Sequence, residues 1–196
     1  MTEHPLDRTS SLPVLRFPLP QVTDRLLIRA FTTSDAEAIY AIHGDPVATR
    51  FMTGTLSPEA SRANLEALIG RVDSTGYGPY AVELLDTAQV IGWAGIQQLP
   101  GERLIEVLFA FRADHWGRGY ATESSRALLR VCFRELGLEE VVATVDPRNL
   151  ASIAVLRKQG FVLDGPFHHK LCDAHGHLYR VTREQWLRAC PTDAAA

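Results

Sequence analysis

The chain of 196 residues is poor in cysteine and has no cysteine pattern. Its three thiols, Cys132, Cys172 and Cys190, are odd in number, widely spaced and form no CxxC. That excludes a disulfide scaffold and argues for free thiols in a reducing, cytoplasmic setting. No apolar run approaches the roughly 20 residues that a membrane-spanning helix requires, so no membrane partner is expected. The opening, MTEHPLDRTS, lacks an apolar stretch of the kind that directs secretion, and no signal peptide is expected. Neither sign of charge dominates: 20 Lys and Arg against 23 Asp and Glu leave a net charge of −3. A nucleic-acid partner, which calls for a basic surface, is therefore disfavoured. What is present, 46% apolar and 22% charged residues, is an ordinary globular composition on a chain long enough to bury a core.

Residues 1–22 carry Pro5, Pro13, Pro18 and Pro20 and little periodicity, which reads as an extended arm or loose tail. Residues 25–31 (RLLIRAF) read as a strand. Ser34 can cap a helix that reaches about His43, where Gly44, Asp45 and Pro46 stop it. Ser57 followed by Pro58 starts a second helix, with Leu65, Leu68, Ile69 and Val72 at helical spacing. Residues 80–85 and 90–98 are strands joined by a hairpin turn at residues 86–89. Residues 104–111 (LIEVLFAF) are almost wholly apolar, as in a strand covered on both faces. A long helix follows from Gly119, with Ala121, Ser125, Leu128, Leu129, Cys132, Phe133 and Leu136 on one face and Gly137 as its stop. Residues 141–145 (VVATV) form the next apolar strand, so strand, helix and strand predict a crossover between parallel strands. Asn149 then caps a shorter helix ending at Gly160. Residues 161–163, a region around 167–171 and residues 178–181 complete the sheet, with residues 173–176 as a turn.

The chemistry-bearing segment is RADHWGRGYATE, between an apolar strand and a long helix. Gly117 and Gly119 stand where backbone N–H groups can face out of a helix N-terminus, a natural anion site. Arg118 adds a positive charge. Three readings are open on these residues alone. The lysine of a nucleotide-binding Walker loop is missing. A dinucleotide fingerprint would use Gly117, Gly119 and Thr122, with Asp146 after the next strand. Against it stand the missing third glycine and the five residues between strand and loop, where that fingerprint wants a tight turn. An ordinary glycine-rich loop is the third reading.

The stretch HWGRGYATESSRALLRVCFRELGLEEVVATVDPRNLASIAVLRKQGFVLDG resembles the GNAT superfamily of N-acetyltransferases, in its RimJ/RimL-type branch. TDRLLIRAFTTSDAEAI resembles the opening strand and helix of the same branch. The resemblance covers residues 23–187, which implies an N-acetyltransferase domain there, the arm 1–22 before it and a tail 188–196 after it. It implies an α+β fold: a mixed, mostly antiparallel sheet of six or seven strands with one splayed parallel pair, and helices on both faces. It implies acetyl-CoA as acyl donor and transfer to an amine, either a small molecule or a protein N-terminus, by direct attack in a ternary complex. A non-catalytic acyl-CoA-binding module is the alternative, and an NAD(P)-dependent oxidoreductase a more distant one. The chain is expected to be a monomer or homodimer.

By the same resemblance, the family's phosphate loop, Q/R-x-x-G-x-G/A, falls on Trp116, Gly117, Arg118, Gly119, Tyr120 and Ala121. Its first position departs to tryptophan. Amides of Gly117, Arg118, Gly119, Tyr120, Ala121 and Thr122 would hold the pyrophosphate, and backbone of Phe109, Ala110 and Phe111 would pair with the pantetheine arm. Asn149 matches the family asparagine and is equally a helix cap. Ser152 could approach the cofactor sulfur; Leu156 stands where many relatives carry a tyrosine that protonates the leaving thiolate. Glu106, the one charge in its strand, reads either as a general base or as a structural carboxylate. Glu123 reads as a helix-stabilising acid. His168, His169, Cys172, His175 and His177 fit no standard metal spacing, and no metal is expected. Trp93, Trp116 and Trp186 read as packing residues. Residues 44–58 and the region around 168–177 are expected to shape the acceptor pocket.

Overall fold

The computed structural model describes residues 15–99, 102–168 and 175–191. Among them, eight strands form one sheet: β1 (Gln21–Val22), β2 (Leu26–Arg29), β3 (Pro79–Leu84), β4 (Val90–Gln98), β5 (Ile105–Phe111), β6 (Glu140–Val145), β7 (Val162–His168) and β8 (His175–Thr182). Their spatial order is β1-β2-β3-β4-β5-β6-β8-β7. Each neighbouring pair is antiparallel except β5–β6, which is parallel. Five helices accompany it: α1 (Ala36–His43), α2 (Pro58–Thr75), α3 (Tyr120–Arg130), α4 (Leu150–Lys158) and α5 (Arg183–Ala189). Among the described residues no helix is long and apolar enough to cross a membrane.

Two cores lie on opposite faces of the sheet, as the two-residue strand period demands. Tyr80 and Val82 of β3, with Ile105 and Val107 of β5, meet Leu128, Leu129 and Phe133 of α3 and its continuation, and Ile153 and Leu156 of α4. Ala81 of β3 and Trp93 of β4 meet Ile39 and Ile42 of α1 and Leu65 of α2. The doubly covered strands are the ones whose sequences are nearly unbroken runs of apolar residues.

Several sequence expectations shift. The sheet has eight strands rather than six or seven, because β1 recruits two residues from the arm. Leu15 and Phe17 of that arm are buried, and the Phe17 ring lies 5.1 Å from that of Tyr80. The first helix does not start on Ser34. A helical turn over Thr33–Asp35 leads into α1, and the Asp35 carboxylate accepts the Thr32 N–H at 2.8 Å. The Ser34 hydroxyl instead meets that of Thr32. The long helix keeps its predicted apolar face but widens into a π-helical turn over Val131–Glu135. Residues 162–168 form one strand, β7, irregular between Leu163 and Gly165, and His175 and Gly176 belong to β8 rather than to a turn. His169, Cys172 and the remainder of that turn lie outside the described residues. Helix α5, too short for periodicity to reveal, seats Trp186 5.4 Å from Phe133.

Candidate acetyl-transfer site

The parallel pair positions the site. β4 and β5 stay in register from Gly92–Phe111 to Gln98–Ile105, and β6 and β8 over six residue pairs. Between β5 and β6 only Glu106 and Val142 are in register. Beyond that point the strands diverge, and a cleft of about 460 Å³ opens between them, a volume that suits a small-molecule site. Arg112 donates its N–H to Ile91 O at 3.0 Å. Strand alternation therefore turns the backbone groups of Ala110 toward β4, and those of Phe109 and Phe111 toward the gap. Phe109, Ala110 and Phe111 all line it.

Glu106 sits at the apex of this divergence, buried at 4% exposure. One carboxylate oxygen accepts the backbone N–H of Thr144 at 2.9 Å and the Thr144 hydroxyl; the other accepts Gln97 Nε2–H at 2.9 Å. In a continuous parallel ladder the Thr144 N–H would bond to backbone of β5. Here a side chain substitutes, so the two strands separate without leaving a buried donor unpaired. Glu106 itself is not among the residues that line the cleft.

At the wide end, β5 leads through a short helical turn, Ala113–His115, into the glycine loop. Gly117 and Gly119 have φ of +75° and +84°, a region that side chains with a Cβ adopt only at a cost. Gly119 is the N-cap of α3, and no side chain caps that helix. The first amides of α3 are thus open donors at a positive helix end. Gly117, Gly119, Tyr120, Ala121 and Thr122 line the cleft. Arg118 does not; its guanidinium donates to Asp114 O at 3.2 Å, and its own carbonyl accepts from Arg25 at 3.0 Å. Glu123 does more than favour the helix end. Its carboxylate accepts Thr23 Oγ1–H at 2.6 Å, the Arg25 N–H at 2.9 Å and Arg25 Nε–H at 2.7 Å, tying the loop to the strand start at β2. On the other side, buried Gln159 donates to Thr122 O at 2.8 Å.

On the far wall, Asn149 Oδ1 accepts the Ser152 N–H at 3.1 Å, so the asparagine is the cap of α4 and also faces the cleft. Ser152 and Leu156 line it as well, Leu156 at 2% exposure. Asp146 lines the cleft, but its hydrogen bonds with Arg148 hold its carboxyl down at about 2. Its affinity for a proton is therefore low.

Sequence reasoning missed some lining residues. His115 is buried, its Nδ1 2.8 Å from Asp114 Oδ1. Arg50, Phe51 and Met52, from the connection between α1 and α2, also border the cleft. Only their place in a predicted pocket-shaping loop signalled them. Trp116, expected as a packing residue, is 40% exposed in the cleft wall, held by its Nε1–H donated to Phe111 O at 2.8 Å. No described residue of the 168–177 region lines the cleft. The dinucleotide reading fails on this geometry: a helical turn intervenes between strand and glycines, and the sheet has one parallel pair.

Comparison with known proteins shows the family. Residues 25–162 match the family described as the acetyltransferase (GNAT) domain. The uncharacterized N-acetyltransferase YnaD of Bacillus subtilis is 28% identical over 171 residues, covering 84% of this chain and 97% of that protein. A GNAT-family acetyltransferase from Bacillus anthracis superposes with a TM-score of 0.74 at 25% identity, over 85% of this chain and 99% of that one. Mycobacterium smegmatis RimJ, solved with CoA-disulfide, shares the fold at a TM-score of 0.66 and 21% identity, over 85% and 89% of the two chains. The match over most of the chain and the shared fold show that this chain belongs to the GNAT family of acetyl-CoA-dependent N-acetyltransferases.

Proposed function

We propose that this N-acetyltransferase is of the RimJ/RimL-like branch and acts by direct attack of a primary amine on acetyl-CoA in a ternary complex. The observation that carries the reading is the single registered pair of β5 and β6, which leaves strand backbone facing a cleft beside the open amides of α3. The branch rests on the motifs WGRGYATE and TDRLLIRAF.

The roles follow from position. The amides of residues 117–122 hold the pyrophosphate, and the backbone of Phe109 and Phe111 pairs with the pantetheine arm like an added strand. A backbone N–H on the diverging strand polarises the thioester oxygen. The acceptor must lose a proton before it attacks, since an alkyl ammonium with a pKa near 10 is no nucleophile at neutral pH. Glu106 is the carboxylate for that task, acting through water from the apex of the gap, with Asp146 too acidic to serve. As the amine nitrogen bonds to the acetyl carbon, the carbon–sulfur bond breaks and the electron pair leaves on the CoA sulfur. Ser152, which lines the cleft wall, or water then supplies the proton that Leu156 cannot.

A screen of peptides and free amines for acceptor-dependent release of the CoA thiol tests this. A saturable release with one acceptor class, and the acetylated amine recovered in equal amount, is expected. Thiol release independent of every amine, or an acetylated enzyme that precedes product, would refute the ternary-complex reading.

A further inference from the structure

The cleft has two faces, and they are built differently. On one, α3 and α4 close the gap. On the other, the segment around Arg50 and Phe51 lies across its open end, next to Ala48, which packs on the α1–α2 side. The Arg50 guanidinium carbon stands 4.8 Å from the Phe51 ring centroid and 5.3 Å from that of Trp116, which follows β5. Arg148, which follows β6, stands 5.9 Å from the same Phe51 ring. The segment thus spans both arms of the divergence.

The two arginines differ in their charge balance. Arg148 is neutralised by Asp146 at 2.6 Å. Arg50 stacks on two aromatic faces, which hold its planar group without using its N–H donors, and among the described residues it has no carboxylate partner. Among the described residues, the only acidic side chain lining the cleft is the already paired Asp146. A pre-oriented guanidinium fork with unspent donors is a carboxylate receptor. A polycationic acceptor would meet it unfavourably.

We propose that the acceptor amine carries a carboxylate, that Arg50 binds this carboxylate, and that Phe51, Met52 and Leu108 receive an apolar body, as in an apolar amino acid. This rests on the acetyl-transfer reading above and names its substrate class.

The test uses the full chain saturated with CoA, so that binding is read apart from turnover. L-phenylalanine, L-leucine and L-methionine, their carboxamides, phenethylamine and an aminoglycoside are titrated by calorimetry and assayed in parallel with acetyl-CoA for thiol release. At least one free amino acid should bind at least about tenfold more tightly than its carboxamide, the worth of a charged hydrogen bond. Arg50→Gln should erase that preference and leave CoA affinity unchanged, and Arg50→Lys should restore part of it. Carboxylate binding without acetylation would refute the transfer reading and sustain the role of Arg50. Equal or better binding of the carboxamides, loss of CoA affinity in Arg50→Gln, or no Arg50-dependent binding of any carboxylate would overturn the inference.

Discussion

Replacing Glu106 separates its structural role from the catalytic one proposed for it. Three donors converge on its carboxylate, two from Thr144 and one from Gln97. In Glu106→Gln, the retained carbonyl oxygen still accepts from Thr144, and the Gln97 amide can turn to accept from the new NH₂ group. The apex of the cleft survives and the charge does not. Stability should change by less than about 1 kcal/mol, the scale of one exchanged neutral hydrogen bond. The rate should fall by about a hundredfold at neutral pH, the usual cost of a lost general base, and recover in part as rising pH frees the amine. Glu106→Ala differs. It strands the buried donors, each at about 1–3 kcal/mol, offset in part by release of a buried charge. A net loss of about 2–4 kcal/mol corresponds to a fall in Tm of roughly 5–15 °C for a chain of this size. CoA affinity should drop with it, because β5 and β6 lose the group that fixes their separation. Calorimetry of the three proteins, with kcat measured across pH, decides. If Glu106→Gln keeps near wild-type activity at every pH with CoA binding intact, the base is elsewhere and only the structural role stands.

Other outcomes follow from named groups. Burial raises the Cys132 thiol to about 12, and Cys190 is buried with its Sγ 3.6 Å from Gln159 Oε1, so a folded variant with all three cysteines changed to Ala should keep its transfer activity; an acetyl-cysteine turning over at the catalytic rate would refute this. His43 is buried with its Nδ1 2.9 Å from Ser61 Oγ, and burial pushes its pKa below the ordinary value. The unfolded chain binds that proton first, so the stability tied to His43 is whole above about pH 6.5 and drains as pH falls below it. Thermal melts of His43→Gln should therefore fall less steeply than wild type on acidification, and parallel slopes would contradict this. Ser152→Ala should lower kcat less than Glu106→Gln, with the larger loss at low pH, as a pH–rate profile would show.

The sequence was most informative where one physical rule dominates. Two apolar strands around a long amphipathic helix could only be a crossover, and Asn149 and Ser57 cap helices as their short polar side chains predict. The glycine loop was legible because positive φ and an open helix end leave little choice of residue. What escaped depends on distant partners. The Glu106 carboxylate is answered by Thr144, 38 residues away, and Glu123 by Arg25 across 98. Strand periodicity gives the face on which Glu106 lies but not the donors waiting there. Trp116 looked like core because its size is typical of core; its indole N–H, fixed by a local carbonyl, turns it into cleft wall. Arg50 carried no local pattern, since its significance comes from two rings that the fold delivers to it.

The most direct test of the central claim, that the gap beside α3 is the acetyl-CoA site, is a calorimetric titration of CoA into wild type and Gly119→Asp. At Gly119 an added Cβ meets only Arg25 Nη2 at 3.5 Å, so the variant has room to fold, although its φ of +84° strains any residue but glycine. On the proposed assignment of the loop, a carboxylate there would face the pyrophosphate at the uncapped start of α3. CoA affinity should fall at least about tenfold, about 1.4 kcal/mol, in a variant whose melt confirms that it is folded. Unchanged CoA affinity in that folded variant would contradict the assignment of the loop.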